Sequence, residues 1–102
     1  VSAKYTSTSQ QRLLKLILVM FGDIVTGYTP AQLIQMTGHR PDAMTRDLEN
    51  LVTAGLAERD EDGRYRLTSR LPQQAVKVHA AIGRAEARLA ETRSAIHRNN
   101  DY

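Results

Sequence analysis

The sequence predicts a mainly α chain with one small β-hairpin and a long C-terminal helix. Three observations carry that prediction. Apolar residues recur at spacings of three and four through most of the chain, two short alternating segments flank an Asp-Gly turn at 62–63, and the last third holds a heptad seam. Residues 1–8, rich in Ser and Thr and without apolar period, read as a flexible arm. From Ser9, an expected N-cap, Leu13, Leu14, Ile17, Leu18 and Phe21 predict a first helix, buried on that face and ending near Gly22. Residues 22–28, with two glycines, read as a connection.

Thr29 before Pro30 is an N-cap followed by proline at the first helical position, where the missing N–H costs nothing. Ala31, Leu33, Ile34 and Met36 give the second helix its stripe, and Gly38 is placed to end it in the left-handed conformation. Pro41 opens a third helix whose inner face is expected to hold Met44, Leu48, Leu51 and Val52, with Asp42, Ala43, Thr45, Arg46, Glu49 and Asn50 outward. Gly55 stops it. Residues 56–59 and 65–67 then pair as a hairpin, and Pro72 begins a helix expected to reach Arg98.

Two short helices joined by a tight glycine-containing turn, the second leading into a hairpin, make a winged helix-turn-helix, here expected over 9–71. The C-terminal helix occupies 72–98 and a tail 99–102. A chain of 102 residues is a single-domain length, and 41% hydrophobic residues is too apolar for a disordered one. There is no cysteine, so no disulfide framework or thiolate metal site is available. The longest apolar run, 16–21, is far short of a membrane span, and no cleavable leader pattern opens the chain. A cytoplasmic protein is expected, with no membrane partner.

In this arrangement the third helix is the one presented to the DNA major groove. Arg46 is suited to a guanine edge or a phosphate, Thr45 to a base or a phosphate, and Asn50 to an adenine. His39 and Arg40 stand at the helix entry, where phosphate contact is expected. Arg59, Arg64 and Arg66 flank the hairpin, with Arg64 the first candidate for a phosphate or the minor groove. The candidate DNA-contact set is therefore Thr29, His39, Arg40, Thr45, Arg46, Asn50, Arg64 and Arg66. A formal charge of +3 and a pI near 9.6 permit a polyanionic partner without requiring one.

The stretches "TPAQLIQMTG", "TRDLENLVTAGLAERDEDGRYRL" and "SRL", about half the chain, resemble the IclR-type winged helix-turn-helix and, more loosely, MarR-like winged helices. The resemblance implies a transcriptional regulator binding double-stranded DNA, with Thr45 and Arg46 at the major groove and Arg64 on the backbone. Regulators of that family carry a separate effector-binding domain, for which this chain has no room, so no small-molecule effector is expected. Asp42, Asp47 and Glu49 against Arg46 give the third helix a net charge of −2. That acidity supports an alternative: a protein-protein adaptor docking through the third or the C-terminal helix.

His39, His79 and His97 are widely separated and lack partners at metal-ligand spacing, and no nucleophile-base pattern or phosphate loop appears. No metal, cofactor or enzymatic activity is expected. The heptad seam runs through Leu71, Ala75, Val78, Ile82, Ala85, Leu89, Thr92 and Ile96, predicting a homodimer through the last helix. In a parallel pair Arg88 would face Arg93 of the second copy, which favours an antiparallel pairing or a seam shared with the first helix.

Overall fold

The computed structural model describes residues 3–99. A single 3-10 turn, Ala3–Tyr5, precedes helices α1 (Thr8–Met20), α2 (Pro30–Thr37) and α3 (Pro41–Thr53), strands β1 (Ala57–Arg59) and β2 (Tyr65–Leu67), and helix α4 (Pro72–Asn99). The chain is thus mainly helical with a two-stranded antiparallel hairpin and a long C-terminal helix. It divides into two compact units, the first ending at Leu71 and the second beginning at Pro72.

In the first unit, α1 begins ahead of its expected start, because Ser7 rather than Ser9 is the N-cap. The Ser7 hydroxyl accepts from the Gln10 amide, and Ser9 lies within the first turn. The helix also turns a different face inward. Leu16 and Met20 are fully buried with Leu13, Ile17 and Val19 beside them, whereas Leu14, Leu18 and Phe21, expected inside, are exposed. From Leu13 onward α1 is apolar nearly all round, so periodicity alone does not choose its rotation. A polar contact does: Arg12, on the same i, i+4 row as Leu16 and Met20, is bound to Asp47 of α3.

Helix α2 is closed at both ends. Thr29 Oγ1 accepts from the Gln32 amide at 3.2 Å while Gln32 Oε1 accepts from the Thr29 amide at 2.9 Å, a reciprocal capping box. Gly38 ends the helix at φ 74°. Helix α3 buries Ala43, Met44, Asp47, Leu48 and Leu51. Two assignments are corrected here: Ala43, expected outward, is inside, and Val52, expected inside, is 41% exposed. The inner arc is centred between Asp47 and Leu51, so position 43 falls within it and 52 at its edge. After Ala54 the amides of Gly55 and Leu56 return to the carbonyls of Val52 and Leu51, the paired bonds of a Schellman end.

In the hairpin Ala57, Glu58 and Arg59 face Leu67, Arg66 and Tyr65. The sheet has one further member that the sequence did not announce. Tyr28, in the 22–28 connection, exchanges both backbone hydrogen bonds with Tyr65, at 2.9 and 2.8 Å. The core closes over Leu16, Met20, Leu33, Met44, Leu48, Leu51, Ala57 and Leu67. Leu71 packs against this cluster, so it belongs to the first unit's interior and not to the heptad seam expected of it.

The hairpin turn is held by Asp60, whose Oδ1 accepts from the amides of Asp62 (2.9 Å) and Arg64 (3.0 Å). These bonds, the Arg64 amide foremost, hold its carboxyl below the usual aspartate value. A depressed folded pKa contributes stability that is present above the ordinary value of about 4 and is lost as pH falls through the folded one. In an NMR titration the Asp62 and Arg64 amide signals should therefore shift together with a midpoint below about 4. A midpoint at or above that value would remove Asp60 as the organiser of the turn.

The second unit is α4, 28 residues long, with Pro72 at its first position and the terminal tail expected at 99 beginning later, since Asn99 is still helical. Residues 100–102, like residues 1 and 2 of the expected arm, lie outside the described residues. Val78, Ile82, Leu89 and Ile96 of the seam are exposed, and the Thr92 hydroxyl donates to the Arg88 carbonyl at 3.0 Å.

Candidate nucleic-acid interface

The outward face of α3 is set by what its inward face holds. Asp47, only 4% exposed, accepts two parallel bonds from Arg12, Nε to Oδ2 at 2.7 Å and Nη2 to Oδ1 at 2.9 Å. The hydrogen bond to Asp47 raises the Arg12 pKa further above its already high ordinary value. One of the three acids counted against the third helix is therefore turned inward and neutralised. The exposed charges of α3 are Asp42, Arg46 and Glu49.

Asp42 stands in the first turn of α3, where the Ala43 amide holds its carboxyl below the usual value. It pairs with Arg40 (Nε–Oδ1 3.4 Å) and with Arg46 (Nη1–Oδ2 3.6 Å). All three side chains are more than half exposed, and pairs of this kind exchange readily for another anion. Thr45 is exposed and its hydroxyl donates to the Pro41 carbonyl at 3.1 Å. Asn50 is turned onto its own helix, Nδ2 donating to the Arg46 carbonyl at 2.9 Å.

The remaining candidates are committed to internal contacts. Thr29 is the α2 cap. His39 is half-buried against α1, in a groove with Lys15, Leu18, Val19, Met36 and Thr37, and its Nδ1 is buried without a hydrogen-bond partner. Arg64 straps the wing to α2 and the segment before it: Nη1 donates to the Gly27 carbonyl at 3.1 Å and to Gln32 Oε1 at 3.5 Å. Arg66 is held by Glu58 at 2.9 Å and Asp60 at 3.4 Å.

The third wing arginine differs. Arg59 is exposed and, among the described residues, its side chain forms no hydrogen bond or ion pair. It lines a groove of about 400 Å³ with Glu49, Val52 and Thr53 of α3 and Tyr65 of β2, and its Nη2 reaches the turn beside Gly63. Strand alternation was the available signal. Residue 59 shares the face of the core residue Ala57, which turns it toward α3, while Glu58 and its cross-strand neighbour Arg66 point the other way and pair.

The structure thus gathers Arg40, Asp42, Thr45, Arg46 and Glu49 along one side of α3, with Arg59 across the groove. Among the described residues no three His, Cys, Asp or Glu side chains are grouped to hold a metal ion, and no helix is long and apolar enough to cross a membrane. No family model matches the chain, and no curated protein matches it.

Proposed function

We propose that the chain is a sequence-specific, double-stranded-DNA-binding transcriptional regulator of the IclR-like winged helix-turn-helix kind, acting as a homodimer through α4. One observation carries this reading: with Asp47 neutralised by Arg12, α3 presents exposed Thr45 and Arg46, and the uncommitted Arg59 of the wing lines a groove with Glu49, Val52 and Thr53 of the same helix. A helix of that composition fits the major groove, where an arginine reads guanine through two hydrogen bonds. The wing cation then meets the phosphate backbone. Arg40, at the start of α3, is positioned for a neighbouring phosphate.

A second reading, a protein-binding adaptor, is favoured by the exposed acids Glu61 and Asp62 at the wing turn and Glu49 in the groove. Selection of bound duplexes from a random pool, followed by gel-shift titration over a range of salt, separates the two. An enriched motif supports the regulator; no enrichment and no shift at low salt supports the adaptor. Arg46→Ala should cost about 1–3 kcal/mol on the selected site and relax preference at one base pair. Arg59→Ala should weaken all sequences alike and lower the salt slope by roughly one. An unchanged slope would remove Arg59 from the interface.

A further inference from the structure

The seam residues of α4 alternate in size as well as in spacing. Written as heptads, Ala75, Ile82, Leu89 and Ile96 occupy one core position and Val78, Ala85 and Thr92 the other. Val78 is 57% exposed, Ile82 50%, Leu89 68% and Ile96 62%. In a parallel, in-register pair each residue meets itself. Ala75, Ala85 and Thr92 would then make thin layers between thick ones, and Arg88 would lie beside the partner's Arg93.

We propose that α4 pairs antiparallel with α4 of a second copy in one register, with Ile82 beside the partner's Ala85, Val78 beside the partner's Leu89 and Ala75 beside the partner's Thr92. This inference rests on the reading of the chain as a dimeric DNA-binding regulator and gives the dimer its geometry. At the centre Ile82 meets the smaller Ala85 in both directions, with a Val78–Leu89 layer on either side and an Ala75–Thr92 layer beyond each. Charge agrees with size. Flanking the seam, Glu86 comes beside the partner's His79 and Arg88 beside the partner's Ala81, so no like charges are opposed. Sliding one heptad toward the C-terminus sets Glu86 against the partner's Glu86 and Arg88 against the partner's Arg88. Sliding one heptad the other way discards Leu89 and Thr92 from the contact.

The chain contains no cysteine, so introduced thiols report cleanly. Ala75→Cys and Thr92→Cys, differently tagged, leave the large seam residues in place. Coexpressed and oxidised, they should form a mixed disulfide at least ten-fold more abundant than the disulfide of either variant alone, because positions 75 and 75 lie about 25 Å apart along this pair. Either variant cross-linking to itself as efficiently would establish a parallel pair and overturn the proposal. So would absence of the mixed disulfide from a species that sediments as a dimer. A monomer by sedimentation would overturn the pairing together with the dimeric reading. A mixed disulfide in a protein that selects no DNA site would retain the pairing and remove the regulator. With DNA bound, selected sites should be inverted repeats, and a direct repeat would count against the two-fold arrangement.

Discussion

Replacing Arg12 with methionine should lower the melting temperature by on the order of 10–20 °C. Arginine is a residue type usually found at the surface, where substitutions usually have little effect. Here its partner decides the size of the loss. Asp47 lies within the inner arc of α3 among Met44, Leu48 and Leu51, and among the described residues both its oxygens are satisfied by Arg12 alone of the side chains. Without the guanidinium a carboxylate is left in an apolar setting with no opposing charge, a far worse state than the absence of the pair. Removing both charges, as Arg12→Met with Asp47→Leu, should therefore recover most of the loss. Thermal unfolding followed by circular dichroism on the two single variants and the double variant measures the coupling. A shift of less than about 3 °C in Arg12→Met would show that the pair does not hold α1 against α3.

The same pair explains where the sequence was legible and where it was not. Most signals written in neighbouring residues were legible, the α1 cap excepted, where Ser7 and Ser9 offer the same hydroxyl two positions apart. Thr29 and Pro30 open α2, Gly38 closes it, Pro41 opens α3, and Asp60 to Gly63 turn the hairpin. Signals that depend on another element were not. The rotation of α1 is settled 35 positions away at Asp47, and nothing in a run of Leu, Ile, Val and Met distinguishes the buried Leu16 from the exposed Leu18. Tyr28 joins the sheet only because the chain before α2 lies against β2, a non-local pairing with no pattern of its own.

At the candidate site the division is similar. Helix α3 and the wing were placed by their own residues, but which arginine is uncommitted was set by cross-strand and loop contacts. In sequence Arg64 and Arg66 rank ahead of Arg59. Gly27, Gln32, Glu58 and Asp60 occupy the first two and leave the third. Counting charge along α3 likewise overstated its acidity, since a carboxylate that faces inward to a guanidinium contributes little to the potential outside.

Gly27→Ala should destabilise the first unit by about 2–5 kcal/mol, the sum of a left-handed backbone penalty of about 1–2 and a clash of about 1–3. Gly27 is buried at φ 81°, and a Cβ there would collide with the Tyr65 carbonyl and stand 2.9 Å from Arg66 Cβ. Neither neighbour is the free end of a flexible chain. Both belong to β2, so relief requires the 22–28 segment and the strand to separate. That separation opens the Tyr28–Tyr65 bridge and moves the carbonyl that receives Arg64. Gly38→Ala is the matched control: φ is 74°, but nothing lies within 4 Å of its added Cβ, so only the backbone penalty applies. Denaturant unfolding of the two variants should differ by the clash alone, and amide exchange at Tyr28 and Tyr65 should accelerate in Gly27→Ala and not in Gly38→Ala. Because Arg59 is carried on the hairpin that this contact anchors, on the proposed regulator reading Gly27→Ala should also weaken DNA binding more than Arg59→Ala does. Equal stability of the two glycine variants would mean that the wing is held by its own turn, with the strap from Arg64 and the Tyr28 bridge contributing little.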